Sequence, residues 1–235
     1  MEGTCALCGR NGKLTFEHVP PEAAYNDNPI YIQAADHLVN EESPVYGKRM
    51  RSNKGFGSFT LCAPCNNNTG AWYGKAYVDF AKQGMSILNN DIHIGSVLGS
   101  YLIKPLSVVK QILTMFMSAD KSGHLRSHKG LVDYILDKDS ISFPTNFKVF
   151  IYSNDSPVKR MLGCSTIFDP RIGIQHWSEI NFKPFGYLLA EDSGPAHPHM
   201  VDISNWGSVP YDTKCMVLLS TVLLEVSHVG IGIYN

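Results

Sequence analysis

The sequence predicts an α+β protein in which a small cysteine-stapled module precedes a helical portion and a mostly antiparallel sheet. Three observations carry that expectation. Cysteines stand in two Cys-x-x-Cys pairs, Cys5/Cys8 and Cys62/Cys65, and the segment around them is rich in turn residues and poor in long periodic runs. From Asn66 through Trp72, Tyr73, Tyr77 and Phe80 to Leu88, apolar residues recur at helical spacing. Towards the C-terminus, short apolar runs alternate with turn-rich pieces such as Asn154-Asp155-Ser156-Pro157 and Asp192-Ser193-Gly194-Pro195.

The elements follow in order. Leu14–Val19 reads as a short strand ended by Pro20-Pro21, and Ser58–Leu61 as a second strand running into the second cysteine pair. After Asn89-Asn90 the pattern changes. Val97–Met117 reads as a helix bent at Pro105, and Leu131–Leu136 as another short helix. Strands are expected over Phe147–Tyr152, Met161–Phe168, Ile180–Leu189 and Met216–Val226. His124 and His128 lie between Ser122-Gly123 and Lys129-Gly130, which places them on a surface loop. The chain divides into 1–88, the stapled module, and 89–235, an α+β region.

Composition bounds the function. Of 235 residues, 44% are apolar and 17% charged, which is too apolar for a disordered chain. The net charge of −1 supplies no global field for nucleic acid, so any such binding rests on a local patch or a partner. The first dozen residues carry cysteines and charges where a secretory leader has an apolar run. The apolar stretch 94–113 is interrupted by Lys104-Pro105 and Lys110, and 216–226 is too short to span a bilayer. A cytoplasmic protein without a membrane partner is therefore expected.

In that compartment paired cysteines read as metal ligands rather than disulfides. Two pairs at this spacing supply the four thiolates of a structural Zn²⁺ site: Cys5, Cys8, Cys62 and Cys65. A small metal-held module needs less apolar core than its length would otherwise demand. Cys164 and Cys215 lack ligand spacing and read as buried free thiols. His197-Pro198-His199 is a weak metal candidate, with Glu191 and Asp192 as acidic neighbours. No Walker loop, dinucleotide fingerprint or nucleophile elbow appears.

Between the pairs stands Glu17-His18-Val19-Pro20, and the second pair continues as Cys65-Asn66-Asn67-Asn68-Thr69-Gly70. Over residues 5–73 this order resembles the HNH nuclease family, whose ββα-metal core is often stapled by two such pairs. The resemblance implies a metal-dependent endonuclease that hydrolyses phosphodiester bonds in DNA. His18 would be the general base, and Glu17 with Asn66 would hold a catalytic Mg²⁺ or Mn²⁺. Where many members carry an asparagine shortly before the second cysteine pair, this sequence has Gly57. Asn53, nine residues before Cys62, is the nearest asparagine, and Asn67 and Asn68 compete with Asn66 as metal ligands.

Lys48, Arg49, Arg51 and Lys54 place four positive charges within seven residues beside that motif. Such a segment suits sequence-independent phosphate contact. The region 89–235 is expected to recognise a target, a partner protein, a second copy or a signal. The family context suggests bacterial or phage restriction and antiviral defence. The alternatives are a catalytically inactive zinc module that binds nucleic acid or protein, and a zinc-stabilised enzyme of another class. RNA stands beside DNA as a candidate substrate.

Overall fold

The computed structural model describes residues 1–34, 37, 40–90, 93–169 and 173–227. It is a mixed α and β structure whose sheets are antiparallel. Strands β1 (Glu2–Thr4) and β2 (Asn11–His18) form the first hairpin, with the Cys5–Cys8 turn at its tip. A long excursion carries a second small hairpin, β3 (Ile30–Ile32) with β4 (Met50–Ser52). Strand β5 (Gly57–Cys62) then returns to β2, giving a three-stranded sheet in the order β1-β2-β5.

Helix α1 (Ala63–Thr69) follows directly, started by Pro64, whose missing N–H costs nothing in a first helical turn. A π-helical turn over Gly70–Gly74 joins it to α2 (Lys75–Asn90), so the helix expected over 66–88 is one run with a local widening. The widening has a partner, because the Trp72 carbonyl accepts a hydrogen bond from Tyr211 Oη at 3.0 Å.

The sequence reading of 97–117 as one bent helix is corrected. Residues Ser96–Ile103 form strand β6, whose exposed and buried positions alternate along its whole length. Helix α3 occupies only Pro105–Ala119. Pro105 does not bend a helix here but opens one, its ring set for the first turn. All fifteen residues of α3 are buried, Lys110 included. The Lys110 ammonium donates to the Asp137 carbonyl at 2.6 Å and lies 4.3 Å from the centre of the Tyr134 ring. Burial pushes its pKa down to about 8.

After α3 come two short helices, α4 (His124–Ser127) and α5 (Lys129–Leu136). The remaining strands are β7 (Phe147–Ser153), β8 (Arg160–Asp169), β9 (Gly173–Phe182), β10 (Phe185–Glu191), β11 (Val201–Asp202) and β12 (Cys215–Val222). Five of them make a sheet in the order β11-β7-β10-β9-β8, while β12 pairs with β6. The run expected as one strand at 180–189 is two strands, turned at Lys183-Pro184 where proline cannot donate to the ladder. Within this sheet Glu179 is fully buried and satisfied by Arg160, by Tyr152 Oη at 2.8 Å and by the Ser227 amide at 2.7 Å.

One apolar cluster runs from Cys5, Leu7 and Leu61 through α3 to Tyr187 and Leu219, so the core does not stop at residue 88. Phe80 of α2 shows how the parts meet. Its ring stacks on Phe185 of β10 at 4.5 Å and lies edge-on to Tyr101 of β6 and Trp206. No helix among the described residues is long and apolar enough to cross a membrane. Phe80→Ala should lower stability by about 3–5 kcal/mol, the usual cost of emptying a buried aromatic site. Denaturant unfolding followed by tryptophan fluorescence reads this, and a loss under ~1 kcal/mol would contradict the shared core.

Candidate functional site

The four cysteines of the two pairs meet. The sulfur atoms of Cys5, Cys8, Cys62 and Cys65 all lie within 4.8 Å of one another, and Cys8 Sγ is 3.7 Å from Cys62 Sγ. Tetrahedral zinc with thiolate bonds of about 2.3 Å requires sulfurs roughly 3.8 Å apart, so the donor set and its spacing fit that ion. Backbone geometry explains the convergence. Gly9 closes the first turn with a positive φ of 75°, its amide donating to the Cys5 carbonyl at 3.0 Å. A register shift beside Thr15 leaves Thr60 as an extra residue on β5, and its carbonyl accepts from the Ala6 amide at 2.8 Å. The Cys62 amide points at Cys5 Sγ at 3.3 Å.

The electrostatics are those of a cluster waiting for positive charge. Hydrogen bonding from the Cys65 thiol, helped by backbone amides, holds Cys5 down at about 4. That thiolate in turn pushes Cys65 up, while burial pushes up Cys62. Arg10 is the nearby cation, its pKa raised mainly by hydrogen bonding to Cys8. Four thiols side by side thus accommodate one thiolate easily and further ones only with a cation among them.

Glu17 and His18 close β2, on opposite faces of the strand because side chains alternate. Glu17 is only 8% exposed, and no hydrogen bond or ion pair among the described residues reaches its carboxylate. Burial raises its pKa to about 7. His18 is half-buried, its ring edge-on to Phe16 at 5.0 Å. Asn66 sits on α1 against the same strand, its Nδ2 donating to Thr15 Oγ1 at 3.0 Å and lying 3.5 Å from the Phe16 carbonyl. Asn67 and Asn68 are exposed on the far side of the helix.

Gly57 pairs with His18, and a Cβ there would stand 2.2 Å from the Glu17 carbonyl oxygen. The close approach of β5 to β2 therefore admits only glycine at that position. Asn53 is exposed in the turn before β5. The asparagine that organises this region is Asn26, which is buried. Its Nδ2 donates to the Pro20 and Phe56 carbonyls, both at 2.7 Å, and its Oδ1 accepts from the Phe56 amide at 2.7 Å. Sequence reasoning missed it, although an Asn soon after the double proline was the available signal.

Lys48, Arg49, Arg51 and Lys54 are all exposed. Arg51 lies on β4 opposite Tyr31, and Lys54 Nζ stands 5.8 Å from the centre of the Phe16 ring. Phe16 thus has His18 on one side and Lys54 on another, so of the basic stretch it is Lys54 that reaches β2.

Two histidines read as loop residues are placed differently. His124 opens α4, His128 follows it, and both rings meet Glu191 at the end of β10. The spacing of four was the usable signal, and the glycines around it suggested a loop instead. His197 and His199 belong to no group of three converging ligands among the described residues. Cys164 is half-buried, and burial with the nearby Asp120 and Glu191 charges pushes its thiol up to about 11.

No family model matches this chain, and no curated protein or solved structure matches it either.

Glu17 makes a testable contribution to stability in cation-free protein. Its folded pKa of about 7 lies above the unfolded 4.5, so the native state holds the proton more tightly. Stability should therefore fall as pH rises from 4.5 to about 7, by up to about 3 kcal/mol, and level off above. Glu17→Gln should flatten that slope in denaturant titrations across the range. An unchanged slope would show that Glu17 is not the source.

Proposed function

We propose that the protein is a metal-dependent endonuclease of the HNH type that hydrolyses phosphodiester bonds in DNA. The observation that supports this best is Glu17, a buried carboxyl group with no counter-ion among the described residues, on a strand end that also carries His18 and is gripped by Asn66. A carboxylate oxygen and an amide oxygen suit a hard cation such as Mg²⁺ or Mn²⁺ rather than the zinc suited to the four sulfurs. When bound, such a cation polarises the phosphate and stabilises the leaving oxygen.

The chain's own residues do the rest. His18 in its neutral form accepts the proton of the attacking water on a ring nitrogen, and Phe16 fixes the plane of that ring. Asn66 is held in place by Thr15 and contributes to the cation site with Glu17. Lys54, beside Phe16, and the exposed Lys48, Arg49 and Arg51 neutralise the flanking phosphates. The cysteine tetrad keeps β1, β2, β5 and α1 in register and takes no part in the chemistry.

The net charge of −1 fits an enzyme delivered to DNA by a partner or by assembly through 89–235. The exposed apolar side of the β6–β12 ribbon, with Leu98, Leu102, Met216 and Leu218, is a surface for that role. A cytoplasmic role in restriction or antiviral defence is consistent with this reading. The second reading, a module that keeps the staple and binds nucleic acid or protein without cutting, is favoured by Gly57, where the family resemblance anticipates an asparagine.

Two measurements separate these. Plasmid cleavage with Mg²⁺ or Mn²⁺ should be lost by about 10²–10⁴-fold in His18→Ala, the range expected for a general base. Undiminished cutting in the variant removes His18 from that role, and no cutting by wild type at any ion concentration favours the binding module. Arg49→Ala with Arg51→Ala should weaken DNA binding and reduce the slope of log K against log salt by about 1.8, near 0.9 per phosphate contact. A slope equal to that of wild type would place both arginines away from the backbone.

A further inference from the structure

We propose that His124, His128 and Glu191 form a second metal site, separate from the cysteine tetrad, that takes a divalent transition metal, zinc first. It stands whether or not the protein cuts DNA.

The three side chains come from different parts of the chain and converge on one point, their ligand atoms all within 4.8 Å of one another. One carboxylate serves both rings. Glu191 Oε2 lies 2.6 Å from His124 Nε2, and Oε1 lies 2.9 Å from His128 Nε2. His128 Nε2 is itself buried, yet it makes no hydrogen bond of acceptable geometry despite that short distance. A buried nitrogen aimed at an anion but not aligned with it is what a shared cation would satisfy. Bonds of about 2.0–2.1 Å to zinc would set neighbouring donors roughly 3.3 Å apart, so a small outward movement of the present side chains admits the ion. Two imidazoles and a carboxylate match zinc and its neighbours in the transition series rather than Mg²⁺ or Ca²⁺.

The surroundings hold the donors in place. Asp120 accepts from the Leu125 amide at 2.7 Å and from the Ser122 amide at 3.0 Å, which fixes the turn that presents His124. Phe147 lies edge-on to the His128 ring at 5.1 Å. On the sheet side His176, paired with Glu191 across β9 and β10, stacks on His124 at 5.3 Å and is oriented by Thr166 Oγ1 at 3.0 Å from its Nδ1. Cys164 and His176 have ligand atoms within 4.8 Å of that of His124 and complete the wall around the site. These ring contacts limit how far the His124 and His128 side chains can turn away from Glu191.

The position suggests what the metal does. From the same helical turn Arg126 donates through Nη1 to the Cys5 carbonyl at 3.2 Å. An ion at the histidines would pin α4 to the end of the five-stranded sheet and, through Arg126, brace the cysteine knuckle. The two metal centres would then lock the stapled module to the C-terminal sheet.

The test is metal content in a Glu17→Gln background, which removes the carboxylate assigned to the catalytic cation. Stripped with chelator and re-equilibrated with zinc, this protein should hold the ion at both the tetrad and the histidine site. Adding His128→Ala should weaken second-site binding by more than about 100-fold, beyond the 10–100-fold typical of losing an outer partner. Cobalt substitution shows which site is affected, because the sulfur-to-cobalt charge-transfer absorption of the tetrad should persist. Equal zinc content with and without His128→Ala overturns the proposal, as does full retention in Glu191→Gln. Should His128→Ala fail to fold, cadmium-113 NMR of the Glu17→Gln protein decides. A tetrathiolate resonance with a second one in the nitrogen–oxygen range supports the site, and a tetrathiolate resonance alone overturns it.

Discussion

The convergence of four thiols is the constraint on which the front of this molecule depends. Cys5 and Cys62 are 57 residues apart, yet the amide of one meets the sulfur of the other. That closure sits where β5 returns beside β2 and where α1 starts across the strand that carries Glu17 and His18. Among the described residues up to Cys62, the buried core takes Leu7, Leu14, Val19, Ala24 and Leu61 beside Cys5. A metal bound by these four sulfurs would replace what such a short segment cannot bury, and α3 supplies the apolar floor.

The closure also decides what the strand end can do. Where β5 passes close to β2, the Glu17 carbonyl leaves room only for glycine at position 57. The Glu17 side chain beside it is buried, and that burial raises its pKa. The loop beyond is held from the opposite side by Asn26, which binds three backbone groups. A single polar side chain in that role stiffens the approach to His18 without adding charge.

Much of this was legible in the sequence where chemistry is local. The cysteine spacing announces a four-sulfur cluster, and the four sulfurs do converge. What was not legible depended on partners remote in sequence. Val97–Met117 reads as one helix from sequence because its apolar residues also fit a helical stripe, and pairing with β12 shows the alternation over Ser96–Ile103 to be that of a strand. His124 and His128 read as surface residues because Glu191, their common partner, comes more than sixty residues later. Asn26 carries no such signal of its partners, because its two acceptors and one donor are backbone groups, which no side-chain pattern can reveal.

As a nuclease of the proposed kind, the protein would use different metals at different places for its staple and its chemistry. A crystal grown with Mn²⁺ and measured on both sides of the zinc and manganese absorption edges tests it most directly. The expected result is a zinc signal among Cys5, Cys8, Cys62 and Cys65 and a manganese signal beside Glu17 and Asn66. Zinc in the tetrad with no manganese at Glu17 would contradict it.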